Sequence, residues 1–498
     1  MSAGIKCGSF VPRWKRATAA GILAVGVVLL AVTGNARAAD NFDLGEVHPG
    51  NKNLGPRPGP PRYLDDYSAL ANTDRVAFLD KIHYLPLSKG AYLSLGGGYK
   101  GIYTNQRNMF FGVNPTPQGP LSHMSFYSHR AEVHADLHLF DNTVRVFGEV
   151  SDTLSAGRQK GGKFPVFESD FELHQLFADV NFHVGTAARG FVRMGRQEMK
   201  FGSGVLFRVR EGFPVREVYD GIRGTVRLGQ RVTLNAFAVQ DVANHYGSFN
   251  DSSAGTGRFA GIYGTVAWMP KTFSQDLYVL YYRRNGRRAF GVHGNDERYT
   301  MGTRAFGNAG PLFYSNEAMF QTGHFGHDNI RAWATANTIG VNLPRWMWRS
   351  SVGLQADVGS GDGNKGDHTT ETFDPLFPSD GLRYGFGLYG HLSNLISVGP
   401  KASITAVEPV TVSVSVLGNW KETRTDAVYV GGLGAPLPGS ANTHSSYIGT
   451  SYIMFVRWAA AKYLTFDAAY QYMHAGGAIH EAHGSDGQFV AIYGAFYF

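Results

Sequence analysis

The amino-acid sequence predicts an all-β protein: a transmembrane antiparallel β-barrel of about 18 strands, with short periplasmic turns and long extracellular loops. Two observations lead to this fold class. From residue 91 to the C-terminus the chain consists of short runs in which apolar and polar residues alternate, as expected for strands with two different faces. Long and short connections between these runs also alternate. This pattern is typical of outer-membrane barrels, whereas a secreted β-sandwich has no physical reason to show it.

The last strand and the lack of a long apolar segment agree with this fold class. The chain ends in FVAIYGAFYF, an alternating run that closes on the aromatic Phe498 and resembles the terminal strand shared by bacterial outer-membrane barrels. After residue 40 no apolar run approaches the roughly 18 residues of a membrane-spanning helix. We therefore predict a barrel over residues 91–498.

The N-terminus predicts export from the cytoplasm. Residues 1–39 combine a basic start (6–16), an apolar run (19–32) and a small-residue cleavage site (36–38), which together are typical of a secretory signal peptide. Five of the 46 basic residues and none of the 39 acidic ones lie in this segment, so 46 − 5 = 41 basic residues remain against 39 acidic ones. The mature chain is nearly neutral, and its charge does not indicate a nucleic-acid partner.

The segment between the signal peptide and the barrel has a different composition from both. Residues 40–62 are rich in Pro and Gly, whereas residues 65–90 mix apolar and charged positions. We interpret residues 40–90 as a linker followed by a periplasmic or plug segment. Cys7, the only cysteine, lies in the signal peptide, so the exported chain has neither disulfides nor thiolate metal sites. No cofactor and no metal are predicted.

Alternation within a strand predicts which side chains face the lumen, because the apolar face of a membrane barrel contacts lipid. In residues 130–139 this rule places Arg130 and the acidic residues of that run inside. In residues 330–337 it places Ile330 and three alanines outside, and Arg331 inside. A shift of one residue would reverse each such assignment.

The predicted connections fall into two classes. Tight turns are expected at residues 141–142, 229–230, 408–409 and 461–462, and long polar loops at 104–123, 153–172, 197–219, 241–258, 285–298, 359–395, 421–446 and 474–487. Sixteen strands are clear, and a weak pair within 299–321 raises the number to about 18. The Gly-rich residues 359–364 resemble part of a Ca²⁺ loop, but we interpret them as a flexible loop that folds into the pore and could gate it.

One stretch concentrates positive charge. Residues 191–227 contain eight basic and four acidic residues, interleaved with aromatic and β-branched ones. We predict two strands with Arg193, Arg223 and Arg227 facing inward, joined by a charged loop at the outer rim that carries Lys200, Arg208, Arg210 and Arg216.

Several segments carry a resemblance to the alginate-export family of outer-membrane porins. They include DNTVRVFGEV, the block GRQEMKFGSGVLFRVREGFPVREVYDGIRG and TFDPLFP, and together they are spread over most of the mature chain. Lys100 stands where the family's first strand usually has arginine, and Tyr219-Asp220-Gly221 replaces its FDG. The resemblance implies a barrel whose arginine-lined lumen attracts an anionic polysaccharide.

Arginines of the lumen and of the charged loop, together with Asp220, are the candidate substrate-binding residues. A guanidinium stays charged and pairs bidentately with a carboxylate, of which a polyuronate carries one per sugar. The candidate residues are Arg130, Arg145, Arg193, Arg196, Arg216, Asp220, Arg223, Arg331, Arg349 and Arg457. The same arginines could instead form structural ion pairs with inward Asp and Glu residues, and the sequence leaves both interpretations open.

The predicted function is a bacterial outer-membrane porin that passes an alginate-like polyuronate outward through this lumen. An alternative on the same barrel is a substrate-selective uptake porin for small anions or sugars. An enzyme is not predicted, because the chain has no GxSxG, HExxH or Walker-type motif, and its loops are too short to hold an adhesin domain. The expected partners are the anionic polysaccharide, outer-membrane lipid and lipopolysaccharide and, by analogy with the family, periplasmic scaffold or synthase proteins.

Overall fold

The computed structural model describes residues 61–75, 77–113, 122–157, 167–344, 348–377, 381–387, 389–407, 409–431 and 435–498. The predicted signal peptide and nearly all of the Pro-rich linker lie outside these residues. The described strands are β1 (Leu85–Ser88), β2 (Ala91–Arg107), β3 (His123–Leu139), β4 (Val144–Ala156), β5 (Ser169–Val184), β6 (Ala188–Gln197), β7 (Tyr219–Leu228), β8 (Val232–Ala243), β9 (Ser252–Met269), β10 (Phe273–Ala289), β11 (Val292–Ala309), β12 (Leu312–Phe325), β13 (Asp328–Asn342), β14 (Ser351–Gly359), β15 (Thr369–Thr370), β16 (Leu395–Val407), β17 (Val410–Trp420), β18 (Tyr447–Ala461), β19 (Leu464–Ala475) and β20 (Gly487–Tyr497).

The helices of the described residues are short. The α-helices are α1 (Phe78–His83), α2 (Gly381–Tyr384) and α3 (Gly477–Glu481), and 3₁₀ turns occur at Arg62–Leu64, Ser68–Asn72 and Met109–Gly112. Among the residues described, no helix combines the length and apolar character needed to span a bilayer.

Eighteen of the strands close into one antiparallel barrel, which confirms the predicted fold class. β2–β14 and β16–β20 pair in chain order, with β14 directly beside β16. The barrel closes where β2 pairs with β20, with Gly98 opposite Tyr497 and Arg107 opposite Gln488. The other two strands are additions to this barrel: β1 pairs with the start of β2, and β15 runs parallel to β13.

The connections divide between the two ends of the barrel, but less completely than the sequence predicts. The tight turns at residues 140–143, 185–187, 229–231 and 462–463 lie at one end, and long connections such as 198–218, 360–394 and 421–446 lie at the other. The predicted long loop at 285–298 is wrong. There β10 and β11 continue as strands of 17 and 18 residues and meet in a tight turn at Phe290 and Gly291.

The outer face is apolar and the inner face polar along most strands, as alternation predicts. On β3, for example, Val133 is exposed on the outside, whereas Arg130, Glu132 and Asp136 are buried inside. On β13 the inner face is apolar instead: Ile330, Ala332, Ala334 and Ala336 are buried there, and Trp333 is exposed on the outer face. The predicted face of this strand is therefore wrong.

The reversal on β13 follows from what lies inside the barrel. Ala332, Ala334 and Ala336 pack in one cluster with Phe373 and Leu392 of the 360–394 connection. Small apolar side chains on the inner wall leave room for a loop at this place. Alternation alone does not distinguish a lipid-facing alanine from one that a loop covers.

Among the described residues, parts of the 198–218 loop, the 360–394 loop and the N-terminal segment 61–88 pack inside the barrel. Tyr63 of the last segment is buried against the inward rings of Phe147 and Phe177. Arg62 donates hydrogen bonds to the carbonyl oxygens of Gly97 and Phe498, each at 2.8 Å, where the first and last barrel strands meet. The N-terminal segment is thus attached to the inside of the short-turn end.

Candidate functional site

The 198–218 loop delivers a carboxylate to two cations of the barrel wall. Lys100 of β2 donates from Nζ to Oε1 of Glu211 at 2.9 Å, and Arg130 of β3 donates from Nη2 to both carboxylate oxygens at 2.8 and 2.9 Å. Tyr497 adds a weaker hydrogen bond at 3.3 Å. The Glu211 side chain keeps 32% of its surface exposed, against 9% for Lys100 and 1% for Arg130. The carboxylate is therefore the accessible member of this site.

The protonation of Glu211 follows from its partners. Burial by itself would raise the pKa of this carboxyl, but the charges of Arg130, Lys100 and Arg216 outweigh burial and hold its pKa well below the usual range. Glu211 is consequently ionised at any physiological pH. Lys100 and Arg130 thus form a site that already binds a carboxylate.

Arg216, on the same loop, lies at the centre of a buried acidic cluster. Its guanidinium contacts Glu132 at 2.6 Å, Glu149 at 2.9 Å and Glu198 at 2.7 Å. His174 approaches Glu198 at 2.8 Å. Burial raises the pKa of Glu198 to about 7, against the opposing effect of Arg216.

The donors of this cluster are of the kind that bind metals, and one atom each of Glu149, His174 and Glu198 lies within 4.8 Å of the others. Arg216 contacts both carboxylates of that set, and its guanidinium supplies the positive charge that a metal ion would bring. We interpret the cluster as the anchor of the loop, and no chemistry of a metal is assigned to it.

A second group of ion pairs joins β3–β6 to the N-terminal segment. Arg193 donates to both oxygens of Asp179 at 2.7 and 2.8 Å, and its guanidinium stacks on Phe177 and Tyr63. Arg145 binds Asp136 through two hydrogen bonds of 2.7 Å. Both guanidiniums already pair with carboxylates, with 2% of the Arg193 side chain and 13% of the Arg145 side chain exposed.

The 360–394 loop carries its own carboxylate to the opposite part of the wall. Asp374 contacts the arginines Arg284, Arg287 and Arg298 of β10 and β11, which also surround Asp296. Burial opposes ionisation of Asp374, but these arginines prevail and hold its pKa well below the usual range. The pattern at Glu211 recurs here: a loop carboxylate occupies a basic site of the barrel wall.

The two loops meet inside the lumen. The backbone N–H of Phe377 donates to the carbonyl oxygen of Leu206 at 3.0 Å, and the rings of Phe207 and Phe377 are in edge contact. Farther along, the carbonyl oxygen of Gly387 accepts a hydrogen bond from Gln106 of β2 at 2.7 Å. The 360–394 loop thus reaches from β10 and β11 to the closing strands, as its predicted folding into the pore requires.

Six of the ten predicted site residues face the lumen or lie inside it. They are Arg130, Arg145, Arg193, Arg216, Arg223 and Arg457. Arg457 is the most open of those with a carboxylate partner: its side chain is 58% exposed and binds Asp467 through two hydrogen bonds of 2.9 Å. The predicted rim position of Arg216 is wrong, because the whole loop folds inward and buries this residue completely.

The other four predicted positions are corrected. Arg196 lies opposite Leu176, which is exposed on the outer wall, and pairs there with Asp220 at 2.8 Å. Arg331 lies beside the outward Trp333 on β13, where the inner face consists of alanines. Arg349 lies in the turn before β14, exposed at the short-turn end.

Lumenal cations outside the predicted set form part of both basic sites. Lys100 is not among the ten candidate residues, and Arg284, Arg287 and Arg298 lie within or beside the stretch predicted to be a loop. On β11 one face carries Asp296, Arg298, Thr300 and Arg304. This alternation is the sequence signal for a strand with a charged inner face. The Gly residues at 286, 291 and 294 concealed it, because they suggest a loop.

A closed barrel of this size with a charged interior defines the protein as an outer-membrane porin. The chain belongs to the alginate export family, whose sequence model matches residues 91–492. None of the curated proteins is a significant sequence match.

Solved outer-membrane proteins share the fold at low sequence identity. OpdK from Pseudomonas aeruginosa is 9% identical with a TM-score of 0.54, covering 83% of this chain and 99% of its own. OccK11 (OpdR) from the same organism is 11% identical with a TM-score of 0.52, covering 82% and 96%. A BenF-like porin from Pseudomonas fluorescens is also 11% identical with a TM-score of 0.52, covering 82% and 99%. At these identities the likeness concerns the fold alone.

Proposed function

We propose that the protein exports an acidic polysaccharide, an alginate-like polyuronate, across the bacterial outer membrane through the lumen of its barrel. The observation that carries the proposal is the pairing of Lys100 and Arg130 with Glu211. These two cations of the wall bind a carboxylate that a loop presents, in a lumen where a polyuronate would present the same chemical group.

The exchange of carboxylates supplies a mechanism for transport. When the 198–218 loop moves, Lys100 and Arg130 lose one carboxylate and bind another from the polymer, so the wall never holds unpaired charge. Such an exchange is close to neutral in energy, and conduction requires binding that is weak enough to reverse. Arg457, which is exposed and paired with Asp467, offers a further site at which a polymer carboxylate can bind without any loop movement.

Both loops have to move before a polymer passes. They contact each other through Leu206, Phe207 and Phe377, and each binds cations of the wall through a carboxylate, Glu211 or Asp374. We infer that the state described here is the closed one, and that competition from polymer carboxylates favours opening. In this scheme residues 1–39 direct export, and residues 40–90 connect to the periplasmic mouth, where scaffold or synthase proteins would deliver the polymer.

The test is the current through single channels in planar bilayers. We expect anion-selective conductance that a soluble oligouronate blocks and a neutral oligosaccharide of equal length does not. The variant Arg457→Gln should weaken the block, whereas Arg331→Gln, which removes the same charge from the outer face, should not.

The outcome separates the two functions considered for this barrel. Vanillate, the compound in a second structure of OpdK, serves as the small-anion probe. Cation-selective conductance, or indifference to oligouronate, would rule out polyuronate export. Permeation by vanillate together with indifference to oligouronate would favour uptake of small anions.

A further inference from the structure

Four arginines face one another on two adjacent strands near the periplasmic mouth. Arg189 of β6 lies directly opposite Arg227 of β7, and Arg193 lies directly opposite Arg223. All four belong to the inner face, since Val192 and Met194 of β6 and Ile222 of β7 are exposed on the outer wall. Arg189 and Arg227 come within two residues of the tight turns 185–187 and 229–231. They therefore form the edge of the mouth.

These four arginines have fewer carboxylate partners than they have positive charges. Asp179 binds Arg193 at 2.7 Å and also lies 3.8 Å from Arg145. Within the residues that the structure describes, no carboxylate pairs with Arg189, Arg223 or Arg227. Among the described residues, Arg223 donates to the side chain of Asn235 at 3.1 Å, and its buried Nε has no hydrogen-bond partner.

Other arginines of the described lumen do have carboxylate partners. Arg145, Arg304 and Arg457 each have a carboxylate on a neighbouring strand. In contrast, the positions flanking Arg189 and Arg227 across the strands are His183 and Thr233, which add no negative charge. Like charges directly opposite on two strands are destabilising. Because the opposed arginines cost stability, we infer that their unpaired positive charge has a function. A neighbouring carboxylate would neutralise that charge and abolish the function.

We propose that Arg189, Arg227 and Arg223 form a capture site for the carboxylates of the polymer at the periplasmic mouth. This inference rests on the proposed function and adds the place at which the polymer is first bound. Arg189 and Arg193, like Arg223 and Arg227, are four residues apart, about 13 Å along a strand. The site therefore extends from the rim toward the interior and accepts more than one carboxylate of a chain.

The geometry gives the site a direction. Arg189 and Arg227 carry the exposed charge at the rim, and Arg223 lies one step inward with its guanidinium over the rings of Phe191 and Phe201. Phe201 belongs to the 198–218 loop, whose Glu211 occupies Lys100 and Arg130. A polymer bound at the mouth thus touches the loop that has to move.

Binding and current together test the proposal. A labelled oligouronate is titrated against the full-length protein in detergent micelles, where the double variant Arg189→Gln/Arg227→Gln should bind about tenfold more weakly. The matched control is Arg258→Gln/Arg331→Gln, which removes two charges from exposed positions of the outer wall. In oriented bilayers the mouth variant should slow the block only when oligouronate is added on the periplasmic side. The difference should vanish in 1 M salt, where the Debye length is about 3 Å.

Each result decides between the site and the function. Equal affinity of the mouth variant and the wild type overturns the capture site, whatever the channel transports. Binding that depends on Arg189 and Arg227, without any block or passage of polymer, leaves the site standing and overturns export. A lowered melting temperature of the mouth variant overturns the proposal in favour of a structural role, since removal of opposed like charges should not destabilise the barrel.

Discussion

Arg130 donates from one nitrogen to both carboxylate oxygens of Glu211, a residue 81 positions away that a loop carries into the barrel. Arg130 also contacts Glu132, its neighbour on the inner face of the same strand, at 2.9 Å. Its two carboxylates therefore differ in kind. Glu132 is fixed to the wall, whereas Glu211 leaves with the loop. Because of this difference, we expect the loop to detach from the wall at the ion pair between Arg130 and Glu211.

The variant Glu211→Gln should open the channel more often. The substitution replaces the charged carboxylate of Glu211 by a neutral amide. Hydrogen bonds to charged groups are worth about 1.5–3 kcal/mol, so the open population should rise roughly ten- to hundredfold. Arg130 keeps Glu132, and the barrel should remain folded. The readout is the open probability in planar bilayers.

Glu217→Gln is the matched control for this experiment. Glu217 lies on the same loop and pairs with Arg210 at 2.6 Å, within the loop itself. An equal rise in open probability in both variants would show that loop charge, and not the contact with the wall, keeps the channel closed.

The titration of Glu198 should make docking of the 198–218 loop depend on pH. Its carboxyl has an ordinary pKa of 4.5, and burial raises this pKa to about 7 in the docked loop. Below pH 4.5 both states carry the proton. Between pH 4.5 and 7 the undocked loop loses its proton while the docked loop retains it, so docking weakens as the pH rises and the loss, up to about 3 kcal/mol, is complete above pH 7.

Glu198→Gln mimics the protonated carboxyl and should flatten this part of the profile. The contribution of Glu211 has the opposite sign: its pKa is lowered, so its stabilisation is lost only as the pH falls below the usual carboxyl range. Melting temperatures in detergent from about pH 2 to 8 measure both effects. A variant with the same slope as the wild type between pH 5 and 7 would contradict the assignment to Glu198.

Alternation predicted the barrel, its 18 strands and the inward position of Arg130, Arg145, Arg193 and Arg457, because lipid imposes a strict apolar face. The same rule contains the correction for Arg196. Arg193 and Arg196 are separated by three residues, and an odd separation along a regular strand places two side chains on opposite faces. Asp220 and Arg223 are related in the same way. With Arg193 and Arg223 inward, alternation places Arg196 and Asp220 on the outer face.

What alternation does not predict is the content of the lumen. Glu211 and Asp374 reach their partners through loops whose path depends on contacts made after the barrel has formed. The inward burial of Arg216 depends on three glutamates from β3, β4 and the start of its own loop. No local pattern in the sequence records such contacts, which join residues as far apart as 111 positions in the case of Lys100 and Glu211.

Asp374→Asn should release the 360–394 loop and destabilise the protein. It leaves Arg284, Arg287 and Arg298 with Asp296 alone, and breaking one partner of a buried ion pair costs about 3–5 kcal/mol. The melting temperature should fall, and proteases should cut the loop more rapidly. Asp367→Asn, at an exposed position of the same loop, should do neither, and equal effects of the two variants would rule out Asp374 as the anchor.

The face of β13 is open to a direct test. Ala334 is 1% exposed and packs against the 360–394 loop, so Ala334→Leu should overpack the contact, cost about 1–3 kcal/mol and displace the loop. Thr335, its neighbour on the outer face, should accept leucine with little effect, because an added apolar group there meets lipid. Melting temperature and open probability are the measurements. If the two substitutions had interchanged effects, the alanines would face lipid as alternation first suggested, and Arg331 would return to the lumen.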